Sequence, residues 1–577
     1  MLDRVVGLGT AALLLVGGSH AVAQEEATPD HVRQSRYVQV RDGTRLAVNI
    51  YRPASGGKAV AERRPTIFVF TPYRARFRDD KGKLVEAALS DGLALRSLLR
   101  AGYVVAVADI RGKGASFGHR RGFQDRTEAR DGYDLIQWLA RQPYSTGKVG
   151  MIGCSYLGGA TFHTASTAPP ALKAVFIGAS DIDKYAFVRN GGITAQFNTR
   201  PDEPASVDLA SIPVDADRTG AELRRAVAEH GRNTPMGPLW YGMPYRDSVS
   251  SFTGNAFWDE AGVYKYLPAI RNAGIATYFW GNWHDEPTAQ TLFGAASLDG
   301  KFLAGPGDHC VPPPGFDFTG EVTRYFDHYL KGVDNGIEKA PRATYWVEGL
   351  DGAGRYVRSD QLPGIAARPL PWFLGDARGG VVRAGKDGSF GAAPGAEGRD
   401  AFTVDYDLPP ADYFAFWPKP MGEHGLSYTS NALSAPMTLI GFPVARLTVT
   451  ASDPDADLFV YLDQVQSDGK AEVIAFGRLK LAQRKPAQAP YANFGLPWQS
   501  GLSKDAMGLA PDEAAPVSIA LTPVSRVVPA GARLRFTVAG ADPRQRNLKD
   551  IRRDPAPRIT VLRGGSDPSR IELPLVR

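Results

Sequence analysis

Residues Lys148 to Ala160 read KVGMIGCSYLGGA. An apolar run, Val149 to Ile152, meets Gly153, and small residues crowd in behind Ser155. The pattern predicts a strand that turns sharply into a helix with a serine at the turn. A serine hydroxyl becomes a useful nucleophile only when a base takes its proton. A tight strand-to-helix turn presents the hydroxyl to such a base and aims backbone N–H groups at the same point. Gly153 and Gly158 make that turn sterically possible, while Leu157 stands where a G-x-S-x-G motif has its last glycine. The stretch by itself suits an ordinary strand–helix connection as well as a nucleophile.

The partners of such a serine can be sought downstream. In α/β-hydrolases the chain order is Ser, then Asp or Glu, then His, with acid and base on loops after later strands. GNWHDEP places Asp285 just after the apolar run ATYFW, and GPGDHC places His309 just after KFLAG. Of the nine histidines, His20 lies in an N-terminal apolar region and His328 in the helical pattern TRYFDHYLKG, so neither competes with His309. His284 beside Asp285 and Glu286 invites a metal reading, but there is no H-E-x-x-H helix and no second cluster. No metal and no cofactor is expected.

The elements that must position these residues follow from periodicity. YVQVRDGTRLAVNIYRP (37–53) alternates around Asp42-Gly43 and predicts a β-hairpin. Short apolar runs at 65–70, 103–110, 149–153, 174–178, 276–282 and 301–305 read as strands. Between two of them, residues 126–142 carry Ala129, Tyr133, Ile136, Trp138 and Leu139 on one helical face. Strands alternating with helices predict a mainly parallel sheet covered on both sides. From about 185 to 270 the alternation gives way to a helical pattern at 220–233 and aromatic-rich segments, expected to form a cap over the sheet. After about Pro341, short β-like runs recur between Gly, Pro and Asp turns, which predicts a β-sandwich.

Composition sets the bounds. A chain of 577 residues exceeds one core, and 43% hydrophobic with 22% charged residues is ordinary for a globular protein. The net charge of +6 comes without a long basic run, so no nucleic-acid partner is expected. Arg4, an apolar stretch from Gly7 to Gly18 too short to span a bilayer, and Ala21-Val22-Ala23 predict a signal peptide over residues 1–23. The mature protein is then expected in the periplasm or outside the cell, with no membrane anchor, where its two cysteines, Cys154 and Cys310, can oxidise.

GCSYLGG resembles the G-x-S-Y-x-G elbow of the cocaine esterase-like (CocE/NonD) serine hydrolases, a family that includes α-amino acid ester hydrolases, glutaryl cephalosporin acylases and X-Pro dipeptidyl-peptidases. TPYRARF (71–77), ADIRGKGASFG (108–118), GNWHDEPTAQ and YFDHYLKGVDNG (325–336) match further stretches of that family. TLIGFPVARLTVTASDPDADLFVYLDQV resembles its C-terminal jelly roll. The resemblance implies Ser155 as nucleophile, His309 as general base and acid, and Asp285 as the carboxylate that orients the imidazole. It also implies an oxyanion hole made by the hydroxyl of Tyr73 and the backbone N–H of Tyr156. Asp109 and Arg111 are expected to form a structural ion pair. The Asp-rich DPDADL (453–458) fails the EF-hand pattern at Leu458 and Gln464 and is expected to be a solvated turn or a local hydrogen bond.

Beyond the family pattern, Cys154 abuts the proposed nucleophile and Cys310 the proposed base. A working triad would bring them within disulfide reach, an arrangement similar to the CS-D-HC motif of tannase-like feruloyl esterases, which lack the C-terminal jelly roll. Acidic residues that hold the substrate ammonium in amino-ester hydrolases fall here on Pro287 and Thr288, leaving Glu286 as the neighbouring acid. Trp240, Tyr241, Trp258, Trp283 and Glu286 are the expected substrate pocket, suited to a bulky apolar or aromatic group.

The reading is therefore an α/β-hydrolase fold over residues 24–340 with a helical cap insertion and a C-terminal jelly-roll β-sandwich over 341–577. The expected reaction is acyl transfer from a small-molecule carboxylic ester to water through an acyl-serine intermediate. Amide cleavage, as an acylase or X-Pro dipeptidyl-peptidase, stays open, as does a non-catalytic carbohydrate-binding or interaction role on the same fold.

Overall fold

The computed structural model describes residues 28–194, 202–349, 353–365, 368–376, 387–412 and 415–576. The expected signal peptide lies outside them. The predicted hairpin is present as β1 (His31–Gln39) and β2 (Arg45–Ser55), paired antiparallel across the turn at Gly43. Six further strands coincide with the apolar runs: β3 (Arg64–Thr71), β4 (Val104–Asp109), β5 (Ser145–Cys154), β6 (Leu172–Gly178), β7 (Ala276–Asn282) and β8 (Lys301–Gly305). They lie in the order β1-β2-β4-β3-β5-β6-β7-β8, parallel from β4 onward. Both faces of β5 to β8 are buried, which is why these strands read as continuous apolar runs rather than alternating ones.

The sheet runs past the boundary expected near Pro341. β9 (Ala343–Glu348) joins β8 in parallel and β10 (Gly354–Ser359) returns antiparallel. Among the covering helices are α1 (Leu95–Arg100), α2 (Arg126–Ala140), α3 (Tyr156–Ala165), α4 (Thr288–Leu298) and α5 (Phe318–Phe326). In α2 the buried face differs from the apolar pattern. Glu128 and Asp131 are buried while Tyr133 and Trp138 are half-buried, because each carboxylate meets a specific donor: the Tyr156 hydroxyl for Glu128 and the Arg111 guanidinium for Asp131.

Between β6 and β7 the chain leaves the sheet in short helices, including Lys184–Val188, Ala221–His230, Met236–Tyr241 and Phe257–Ala261. Tyr185, Leu239, Trp240, Met243, Phe257 and Trp258 give this insertion a core of its own, with Phe123 packed against it.

The C-terminal part is a β domain of mostly antiparallel strands around one large core that includes Leu447, Phe459, Tyr461, Phe476 and Phe536. Val444–Ala451 pairs with Ala515–Ala520, Arg558–Arg563 and Arg570–Leu575, while Asp457–Val465 pairs with Ala471–Lys480 and Arg533–Ala539. The DPDADL turn is an ion-paired corner: Asp453 bonds Arg553, and Lys480 reaches Asp455 at 3.3 Å and Asp457 at 2.8 Å.

Candidate active site

Ser155 stands between the last residue of β5 and the first of α3 with φ 59° and ψ −127°. Positive φ in a residue with a Cβ is strained, and two glycines show how the strain is accommodated. A Cβ on Gly153 would lie 2.3 Å from the Leu157 carbonyl, and one on Gly158 would lie 2.1 Å from the Gly178 oxygen. That same Gly178 carbonyl accepts the Ser155 N–H at 3.1 Å, so α3 starts hard against β6. Tyr156 is the first helical residue, and its N–H has no acceptor within the helix. The Tyr156 side chain is held by its hydroxyl, which donates to Glu128 at 2.6 Å, and its carbonyl by the Gln124 amide at 2.8 Å. Burial pushes the Glu128 carboxyl up to about 8. Neither Glu128 nor Gln124 is recognisable in the sequence as part of the elbow.

Asp285 follows β7 and is fully buried. The half-exposed His309 follows β8, and its Nδ1 lies 2.9 Å from each Asp285 oxygen. A carboxylate only accepts, so Nδ1 carries a proton, and in the neutral imidazole the lone pair is on Nε2. Asn282, at the end of β7, donates to the Asp308 carbonyl at 2.6 Å and to that of Val311 at 2.8 Å, which shapes the histidine loop. Phe416 of the β domain stacks on the His309 ring with centroids 4.2 Å apart.

Cys154 and Cys310 form a disulfide with Cα atoms 5.8 Å apart, so the backbones next to Ser155 and His309 are covalently tied. Tyr73 sits on the loop after β3, 41% exposed, edge-on to the Tyr156 ring at 6.3 Å. Asp109 does not pair with Arg111. It accepts the N–H groups of Ala75 at 2.6 Å and Ala115 at 2.9 Å, tying the Tyr73 loop to the end of β4, and burial raises its carboxyl to about 6. Arg111 instead binds Asp131, at 2.6 Å through Nη2, and Asp42 at 3.0 Å.

The residues expected to line a pocket are dispersed. Trp258 is in the core of the insertion, its indole N–H donating to the Met243 carbonyl at 3.0 Å. Trp283 packs in the sheet core and donates to the Trp346 carbonyl at 2.7 Å. Trp240 is buried but meets Phe123 at 5.3 Å, and Phe123 meets Tyr156 at 4.7 Å, so it packs behind the residue that follows Ser155. Tyr241 is exposed at the seam with the β domain, where its hydroxyl accepts from Asn547 at 2.6 Å. Glu286 is buried and bound by Arg478 and Arg544 at 2.8 and 3.2 Å. These placements follow from contacts with residues remote in sequence, which local patterning does not register.

Two family profiles match the chain: X-Pro dipeptidyl-peptidase (S15 family) over residues 42–311, and the X-Pro dipeptidyl-peptidase C-terminal non-catalytic domain over 335–571. A candidate serine esterase of Mycobacterium bovis is 28% identical, over 94% of this chain and 95% of its own. The cocaine esterase of a Rhodococcus species is 25% identical, over 82% of this chain and 86% of its own. Among solved structures, a CocE/NonD family hydrolase of Staphylococcus aureus superposes with a TM-score of 0.71 at 18% identity, covering 95% of this chain and 94% of that one. An α-amino acid ester hydrolase superposes with a TM-score of 0.65 at 18% identity, covering 98% of this chain and all of that one. With an α/β-hydrolase sheet, a jelly-roll-like β domain and both profiles in register along it, the chain belongs to the cocaine esterase-like serine hydrolases.

Proposed function

We propose that this hydrolase cleaves small-molecule carboxylic esters outside the cytoplasm through an acyl-serine intermediate formed on Ser155. The observation that carries the reading is the His309 Nδ1 contact with both oxygens of buried Asp285, on a loop disulfide-bonded to the residue preceding Ser155. His309 Nε2 takes the Ser155 proton as Oγ attacks the acyl carbon. The developing oxyanion is met by the Tyr73 hydroxyl and the Tyr156 N–H. His309 then protonates the departing alkoxide, and water, deprotonated by the same imidazole, releases the acid and restores Ser155.

Ester cleavage is favoured over dipeptidyl-peptidase or amino-ester activity by the state of Glu286. Those substrates carry a free ammonium, and the acid beside Asp285 is already committed to two arginines. Export is supported by the N-terminal apolar segment and the disulfide. Among the described residues, no helix is long and apolar enough to cross a membrane. The test compares p-nitrophenyl acetate and butyrate, bulkier aryl esters, amino-acid esters and X-Pro anilides with wild type and Ser155→Ala. Ester turnover abolished by the substitution is expected. Equal rates in the two proteins would remove the enzyme mechanism, and X-Pro anilides outpacing esters would overturn the substrate class.

A further inference from the structure

Glu286 is one peptide link from Asp285, and both its oxygens are held from the β domain: Oε1 by Arg478 Nη2 at 2.8 Å and Oε2 by Arg544 Nη1 at 3.2 Å. Arg544 is 2% exposed, and its opposite edge binds Asp542 through Nε and Nη2, each at 3.0 Å. Asp542 in turn accepts the Tyr461 hydroxyl at 2.7 Å. The Arg544 guanidinium lies 4.4 Å above the Phe476 ring, Phe476 meets Trp417 at 5.1 Å, and Trp417 meets His284 at 5.4 Å. Side chains of the β domain thus grip both residues flanking Asp285 in the chain.

Two arginines and two carboxylates buried together are neutral as a set, yet each lost its hydration on folding. Replacing such a set with apolar residues of similar volume is often neutral or stabilising, so stability alone gives little reason for it. Orientation does. A carboxylate pinned at both oxygens by planar guanidinium groups cannot swing, and successive Cα atoms are about 3.8 Å apart, so the Asp285 backbone is held with it. We propose that Arg478, Glu286 and Arg544 are positioning residues through which the β domain holds Asp285 against His309. The inference rests on the triad proposed above.

The test is a double-mutant cycle. Arg478→Met takes one of the two arginines from Glu286 and breaks no other hydrogen bond, since Arg478 Nε and Nη1 are unbonded among the described residues. Glu286→Gln is the second, near-isosteric variant should the first fold poorly. Each is made alone and with Asp285→Asn, with Ser155→Ala as the blank, and assayed on p-nitrophenyl acetate. The clamp predicts a drop in kcat of about tenfold with KM nearly unchanged in the wild-type background, and no further drop in Asp285→Asn. Equal losses in both backgrounds, or unchanged kcat in both folded variants, would overturn it. Full activity of Asp285→Asn alone would instead overturn the triad on which it rests.

Discussion

At Ser155, Tyr73 and Glu128 the chemistry reduces to single atoms. In the proposed mechanism the Tyr73 hydroxyl stabilises charge present only in the transition state, so Tyr73→Phe should lower kcat by about 100-fold to 1,000-fold and leave KM nearly unchanged. Steady-state kinetics on one aryl ester decide it. Glu128 makes a pH prediction. Its carboxyl rises from 4.5 to about 8 because burial penalises the charge, with nearby Asp125 and Asp131 adding to the rise and the Tyr156 hydroxyl and Arg120 opposing it. The folded state therefore holds a proton that the unfolded chain has released between those values. This contribution to stability is complete below the lower value and is lost as pH rises through the upper one. Glu128→Gln retains an acceptor for Tyr156 and should flatten the fall in Tm between about pH 5 and about pH 8.

At the scale of elements, the β5–α3 junction depends on backbone passing within contact distance of backbone. Gly158→Ala would drive a methyl group into the Gly178 carbonyl, which also receives the Ser155 N–H. Overpacking of this kind costs about 1–3 kcal/mol. The variant should show a lower Tm in thermal unfolding and a lower kcat, because α3 cannot shift without turning Ser155 and the Tyr156 N–H. A variant with unchanged kcat would mean that the elbow has more freedom than its contacts imply. The helix α2 makes a related point: its two buried carboxylates bind Tyr156 and Arg111, so one helix supports both the turn at Ser155 and the DIRGKG loop.

Across the whole molecule, the Cys154–Cys310 bridge joins the strand that ends at Ser155 to the loop that carries His309 over a sequence separation of 156 residues. Closing so long a loop contributes on the order of 5 kcal/mol in the chain-entropy model. Cys154→Ala/Cys310→Ala, or reduction under native conditions, should lower Tm and kcat together. The ranking of ester substrates should stay the same, because neither sulfur is asked to touch the acyl or alcohol group. A change in that ranking would place the bridge in the substrate site. The β domain has an equal hold on the other half of the site, through Glu286 and through Phe416 on His309. A protein assembled this way should lose activity before it loses secondary structure when the seam between its domains is loosened. Parallel measurement of esterase rate and circular dichroism along a urea titration tests that order.

Strand positions, the hairpin at Gly43 and the serine turn were legible because they rest on local signals: apolar period, glycine spacing and turn residues. The order of Ser155, Asp285 and His309 on strand ends was legible for the same reason, since each follows its own apolar run. What the sequence could not show is which charges and rings are consumed by partners. Glu286 meets Arg544 across 258 residues, Trp283 meets Trp346 across 63, and Glu128 meets Tyr156 across 28. A glutamate beside the candidate acid reads as a substrate anchor until two remote arginines neutralise it. A tryptophan in an aromatic-rich insertion reads as a pocket wall until it proves to be that insertion's core. Composition and spacing specify which groups a chain carries. Burial and pairing, which settle whether a group faces the substrate or the fold, are properties of contacts that exist only once distant segments have met.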